Sequence, residues 1–315
     1  MEGVIENGAI YETPEIRTKG LEDLRALMKE KLHNEPTFQY PRTDDQFLLP
    51  FLRVGKYNLK KAFTRLNNFA EFWYSKRNII EGLNASKVRD VYGDGMMQLL
   101  LNSKDCYGNA VQILRMGALD PTAFSPLRAI QLSTYMLMMV FENEDLQLHG
   151  TTYVESMEGF SLSNSMKLSK NMDSAEQKQM MSLATDTFPM RIRDIYVIHQ
   201  PWYFTFFWTL VRPFLKAKLV KRLHLLGNKL DELHKIVKPE DLPTDFGGTL
   251  NEPLTAFLDN MEKIEKEKGY IGGFAIPLSV DDPTGAKRRA QGILPPLPGE
   301  STNNNHQSNV NTSEN

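Results

Sequence analysis

"FPMRIRDIYVIHQPWYFTFFWTLVRPFLKAKLVKRLHLLGN", residues 188–228, decides how the rest of the chain is read. After Pro189 comes an apolar, β-branched segment, residues 192–201, with the length of a strand; Pro201 ends it. A second short apolar segment, residues 222–228, reads as another strand. Between them, Tyr203 to Val211 sets large apolar side chains one after another, and a cluster of basic residues follows. Arg212 and Pro213 stop the apolar run at about half of the roughly 18–20 residues a membrane-spanning helix needs. From the residues alone it is either a helix buried in a core or a helix that covers something apolar. Strand, helix and strand in this order predict a parallel pair joined by a helical crossover.

The same alternation continues outward. Strands are predicted at residues 109–119 and 150–159, and helices at 125–148, 174–188 and 229–237, with Pro189 stopping the second of these. Upstream, three helical stripes read as a small bundle. Leu21, Leu24, Met28 and Leu32 share one face. Thr43 or Asp44 caps a helix carrying Phe47, Leu48, Phe51 and Leu52, in which Pro50 is expected to cost about 3 kcal/mol or to kink the axis. Asn58 caps a third, with Leu59, Phe63, Leu66, Ala70 and Trp73 in one row. The expected division is an N-terminal arm at 1–19, the bundle at 20–80 and an α/β domain at 90–255. A C-terminal helix and packing segment follows at 256–280, then a polar tail at 281–315 that contains no aromatic residue and is expected to be disordered.

A chain of 315 residues can bury a sizeable core. With 41% hydrophobic and 24% charged residues and a formal net charge of −2, it has the composition of a globular protein and no bulk attraction for nucleic acid, so no nucleic-acid partner is expected. Cys106 is the single cysteine, which rules out an intrachain disulfide and fits a reducing compartment. The opening "MEGVIENGAIYETPEIR" lacks the charged and apolar regions of a signal peptide. No GxGxxG, GxxxxGK[ST], HExxH or CxxC occurs, so neither a cofactor nor a metal is expected. "GFSLSN" is not a GxSxG elbow, and His199 and His224 lack a convergent partner motif. The chain is expected to be non-catalytic.

Three signals occur in a specific order: "DDQFLLPFLRVGKYNLKKA" (44–62), "SMEGFS" (156–161), and the 188–228 stretch closed by "EDLPTDFGG" (240–248). Together they resemble the CRAL-TRIO lipid-binding family over roughly residues 20–255. The resemblance implies an α/β fold class: an N-terminal helical bundle, then a domain with a mostly parallel sheet and an apolar ligand pocket closed by a gate helix. It equates Tyr203–Val211 with that gate and places Phe204, Phe207, Trp208 and Val211 on it. A gate must be apolar where it covers ligand and apolar again where it meets acyl chains, which accounts for the run. In the family's tocopherol carrier, a basic pair after "FP" and two basic residues after "PFL" bind phosphoinositide headgroups. The matching positions are Arg191, Arg193, Lys218 and Arg222, with Lys216 and Lys221 nearby. Arginine offers phosphate a bidentate fork and lysine a point charge.

The departures from the family narrow the ligand. Met190 stands where the phosphatidylinositol-exchanging member has an acid, so an internal phosphatidylinositol is not expected. Ser133 and Leu137 match two pocket serines of the tocopherol carrier. Along residues 151–156, Thr151, Tyr153 and Glu155 share one face and Thr152, Val154 and Ser156 the other; the alignment turns the first set toward the pocket. A buried Glu155 needs a partner, either Arg115 or a donor on the ligand. Ile130, Leu183, Ile192 and Ile195 complete the expected wall. The implied function is that of a monomeric, cytoplasmic carrier for one small hydrophobic lipid of tocopherol or retinoid type. It would exchange that ligand while bound peripherally and reversibly to phosphoinositide-containing, endosomal membranes. The alternative is a phosphoinositide-binding adaptor or regulator of endosomal membrane traffic.

Overall fold

The computed structural model describes residues 4–6, 9–80, 82–92, 95–171, 174–212, 217–268, 270–271 and 274–275; residues 276–315, which include the polar tail, lie outside the described residues. A two-stranded antiparallel ribbon, β1 (Val4–Glu6) and β2 (Ala9–Tyr11), precedes helix α1 (Pro14–Asn34). The helix starts earlier than its apolar stripe, because Thr13, Pro14 and Glu15 form a start signal: the Thr13 hydroxyl accepts from Ile16 N–H at 3.3 Å. The end of the stretch expected as an arm is therefore helical, and Ile10 is 3% exposed within the core.

Helix α2 (Asp45–Val54), capped by Asp44, runs through Pro50. Phe47, Leu48, Phe51 and Leu52 are each fully buried, and burial of that size, at about 1.5–3 kcal/mol per side chain, outweighs the proline. Helix α3 (Leu59–Ser75) is capped by Asn58 as expected, and α4 (Arg77–Ile80) and α5 (Ala85–Tyr92) follow. Phe69 of α3 lies at the centre of a ring cluster with Phe47, Phe51, Trp73, Phe141 and Phe188. The last two come from the second half of the chain, so bundle and sheet domain share one core.

The second half begins with β3 (Met97–Lys104) and β4 (Ala110–Arg115), then α6 (Pro126–Glu142), α7 (Glu144–Leu148) and β5 (Thr151–Ser156). The helix expected at 125–148 is thus two. Asn143 takes an extended backbone and caps the second piece, its side chain accepting from Leu146 N–H at 3.2 Å. Next come α8 (Leu162–Asn171) and α9 (Ser174–Ser182), which passes into a π-helical turn at Leu183–Thr187 before β6 (Ile192–Ile198). Arg65 and Asn68 of α3 hold that turn through the carbonyls of Thr185, Asp186 and Phe188. Helices α10 (Trp202–Val211) and α11 (Ala217–Val220) lead to β7 (Leu223–Gly227). The chain then folds through α12 (Leu230–His234) and α13 (Ala256–Lys268) to a short ribbon, β8 (Tyr270–Ile271) and β9 (Phe274–Ala275).

The sheet order is β3-β4-β5-β6-β7, with β3 antiparallel at one edge and the other neighbours parallel. Neither β3 nor α8 was expected from the sequence. The back of the sheet carries Val111, Ile113, Val154, Tyr196 and Ile198, closed by Leu233, Val237, Leu242 and Phe246. On the front, Ile195, Val197, Leu223 and Leu225 pack with Phe204 of α10.

Candidate functional site

β5 is the middle strand of five, and its burial alternates residue by residue. Thr152, Val154 and Ser156 are packed into the back layer at 0%, 0% and 5% exposure. Thr151, Tyr153 and Glu155 retain partial exposure on the front. Tyr153 sits in a row with Gln112, Ile195 and Leu223; Glu155 sits in the next, with Leu114, Val197 and Leu225. Burial pushes the Tyr153 hydroxyl up to about 12 and the Glu155 carboxyl up to about 7, so both polar ends sit in a recess of the front face. The alternation expected along residues 151–156, with Thr151, Tyr153 and Glu155 on one face, is the one observed.

The expected partner for Glu155 is not where it was placed. Arg115 lies one residue out of phase, in register with Ser156 on the back row. Its guanidinium bonds Asp245 at 2.5 and 3.1 Å, Gly95 O at 3.2 Å and Gln98 Oε1 at 3.1 Å. Among the described residues, no charge acts on Glu155, so burial sets its protonation. Ser133 of α6 keeps accessible surface between buried Leu132 and Thr134, and Ile192 and Ile195 keep some on β6. Ile130, Leu137 and Leu183 are instead sealed in the main core at 4%, 0% and 3% exposure. Met190 packs against that core too.

α10 lies over this side of the sheet and begins at Trp202, one residue before the expected gate. Phe204 packs on the cluster of Met157, Phe160, Val197 and Ile195, and the Tyr203 hydroxyl donates to Phe160 O. Trp208 is half-buried, whereas Thr205 and Thr209 face outward and Trp202 is 79% exposed. The side chains of Phe207, Val211 and Lys218 lie outside the described residues. Leading into α10, His199 holds a left-handed backbone (φ 53°) that glycine would adopt more readily. Its Nδ1 meets Ser156 Oγ at 3.2 Å and the Glu158 carboxylate at 3.9 Å. Serine and acid thus share one ring nitrogen, where a relay needs them on opposite nitrogens; the group is a structural knot and not a nucleophile. His224 is likewise structural, bonded to Asp194 at 2.9 Å and stacked on Tyr196.

The basic residues converge where β6 and β7 begin. Arg191 is 9% exposed and donates to the carbonyls of Leu148 and Gln147. Burial, then the like charges of Arg193 and Arg222, lower its pKa to about 10. Burial and Arg193 lower that of Arg222 as well, against a weaker pull from Asp194. Gly150 (φ 101°) makes the close packing feasible, since a Cβ there would strike the Arg191 carbonyl oxygen and come within 3.0 Å of Arg193 Cγ. A further cation joins them that sequence reasoning missed. Lys56, in the turn between α2 and α3, has its pKa lowered by burial first and then by Arg191, Arg193 and Arg222. No sequence signal pointed to it, because its neighbours in space are 135 to 166 residues away along the chain.

Among the described residues, no helix is long and apolar enough to cross a membrane. A CRAL/TRIO domain profile matches residues 96–248. Clavesin-1 of Xenopus laevis is 31% identical to this chain over 253 residues, covering 78% of this chain and 73% of that one. Clavesin-2 of Mus musculus is 31% identical over 246 residues, covering 76% and 72%. The crystal structure of Sfh5 superposes with a TM-score of 0.51 at 14% identity, covering 82% of this chain and all of that one, a likeness of fold alone.

Proposed function

The chain belongs to the CRAL/TRIO family of lipid-binding proteins, and we propose that it carries one small hydrophobic lipid in the front-face cavity and exchanges it at phosphoinositide-containing membranes. The observation that carries this reading is the pairing of the half-buried front face of β5 with a cation cluster where β6 and β7 begin. α10 runs between β6 and β7 and thus connects the two: it leaves the far end of β6 and returns toward the start of β7. Headgroup binding by Arg191, Arg193, Lys218 and Arg222 then acts beside the element that opens. A lipid leaving the cavity beneath an apolar helix for a bilayer stays in apolar surroundings, so little hydrophobic free energy is lost on the way.

The wall also describes the ligand. Glu155 and Tyr153 put an acid and a phenol into a wall that also holds Thr151, Ser133, Ile192 and Ile195. This favours a lipid of tocopherol or retinoid size with a single polar end able to bond a carboxyl group. Met190 leaves no acid for an internal inositol headgroup. The protein is read as a monomer of the cytoplasm that binds membranes, endosomal ones included, peripherally and reversibly.

The test is native mass spectrometry of protein purified from its own source, paired with vesicle co-sedimentation. The expected result is one bound lipid per chain, and vesicle binding that falls when Arg191, Arg193, Lys218 and Arg222 are all replaced by alanine. At about 1 kcal/mol per basic residue the loss approaches three orders of magnitude, with ligand retained. Protein that purifies empty, takes up no lipid and still binds these vesicles is an adaptor and not a carrier.

A further inference from the structure

We infer that a groove along the free edge of β3 is the docking site of the chain's own residues 293–298, "ILPPLP". The inference stands apart from the lipid and membrane readings above.

β3 is the edge strand of the sheet, and its pairing with β4 slips between Leu99 and Lys104. Beside that slip lies an open groove of about 400 Å³, bounded by the ends of α6 and α7 and the first turns of α13. Buried Leu99, Met139 and Leu146 give it apolar lining. Polar groups that the fold leaves unused line it as well. Ser103 is 3% exposed, and neither its hydroxyl nor the carboxamides of Asn102 and Asn260 hydrogen-bond another described residue. Asn143 spends its oxygen on Leu146 N–H, and Lys104 is paired with Asp145. The unspent groups are weighted toward donors: two N–H on each carboxamide, and the Ser103 O–H. Among the described residues no carboxylate lines the groove to accept from them. Sheltered donors without acceptors are unfavourable, so this surface is half of an interface.

The complementary half carries carbonyls in excess of N–H groups, and apolar anchors. Pro295, Pro296 and Pro298 have no N–H, so residues 293–298 offer six carbonyls against three N–H groups. Proline favours the polyproline conformation for itself and for the residue before it, with three residues per turn and a rise of about 3.1 Å. In that conformation Leu294 and Leu297 share one face, about 9 Å apart. Two leucines in line suit the apolar lining, and the carbonyls between them suit the donors of Asn102, Ser103 and Asn260. After residue 280 this is the sole cluster of large apolar side chains in the sequence. A segment poor in N–H groups also covers a strand edge without offering a new one.

The path of the chain selects its own segment as the occupant. α13 places Asn260 at the groove and ends at Lys268, roughly 12 Å further along its axis. The β8–β9 ribbon follows, and β8 packs on α13 and α6, two of the helices that line the groove. Ile293 comes 18 residues after Ala275, the last residue of that ribbon. Such a length spans on the order of 20–25 Å even as a random coil. Tethering at that range gives a local concentration of about 1 mM, so a contact with an intrinsic affinity of about 0.1 mM is closed about ten times more often than open.

The test is hydrogen–deuterium exchange of the full-length protein against a Leu294→Asp, Leu297→Asp double variant, which leaves every described residue unchanged. Amides of residues 100–104 should exchange about tenfold faster in the variant, at an unchanged melting temperature. A synthetic peptide of residues 290–299 should slow them again in the variant and have little effect on wild type, whose groove is filled. An Asn102→Ala, Asn260→Ala variant should exchange like the leucine variant and respond weakly to the peptide. Equal exchange in wild type and leucine variant overturns the inference. If the peptide then protects both, the groove takes such segments only from other molecules; if it protects neither, it takes none. Protection in wild type that grows with protein concentration puts a second copy's segment in the groove and overturns the inference as well. No lipid enters the measurement, so its outcome is separate from that of the carrier reading.

Discussion

Arg53 in α2 and Glu155 in β5 are both ionisable groups carried deep into the protein, and their surroundings differ. Arg53, 1% exposed, bonds Glu12 through Nε at 3.0 Å and through Nη2, Glu144 through Nη2, and Gln147 through Nη1. Burial opposes the charge on Glu12, yet Arg53 and Tyr57 hold its carboxyl below the ordinary range. Glu155 meets burial with no compensating charge among the described residues, and its carboxyl rises to about 7. In the bundle, buried charge is balanced within the chain and belongs to folding. On the sheet's front face burial keeps the acid neutral up to about pH 7 instead.

The largest expected effect tests the bundle side. Arg53→Ala strands Glu12 and Gln147 and should cost about 3–5 kcal/mol in urea unfolding. A loss below about 1 kcal/mol would erase the distinction. Next is Glu155→Gln. The folded chain keeps the Glu155 proton up to about pH 7, whereas the unfolded chain releases it near 4, so rising pH between those values weakens the native state. The glutamine variant, free of this penalty, should exceed wild type by about 2–3 kcal/mol at pH 8 and match it near pH 4. An equal difference at both values would mean the acid has a partner after all.

Smaller effects sharpen the same contrast. Arg222→Ala should weaken phosphoinositide-vesicle binding about fivefold, at about 1 kcal/mol, and change stability by no more than about 0.5 kcal/mol. If stability falls with binding, the cluster is as structural as Arg53. Smallest of all, Arg115→Ala should leave the Glu155 titration midpoint, followed by carboxyl NMR, where it is; a shift would place the two on one face.

Much of this was legible in the residues. The strands β5 and β6, the capped helix α3 and the alternation along β5 all follow from period and punctuation. β3 was not, because its pairing with β4 slips between Leu99 and Lys104 and leaves residues 100–103 out of the ladder. α8 was hidden by serines and asparagines where a stripe would lie. The family motif pointed to Arg191 and Arg193 but could not show that Arg191 is enclosed and bonded to main-chain carbonyls. Lys56 was invisible for a further reason: in the turn that presents it the left-handed positions fall on Lys56 and Tyr57, and not on the glycine and asparagine that flank them.

The ring cluster around Phe69 has a consequence for how the family is delimited. Phe141 and Phe188 lie inside the matched stretch 96–248, but the rings they rest on, Phe47, Phe51, Phe69 and Phe72, all lie before it. The carbonyls of the π-helical turn are held by Arg65 and Asn68, also upstream. The stretch that the domain profile matches is therefore smaller than the segment that folds. An excised 96–248 fragment would present a raw aromatic face to water and aggregate, so in this protein the profiled domain and the unit of cooperativity have different boundaries.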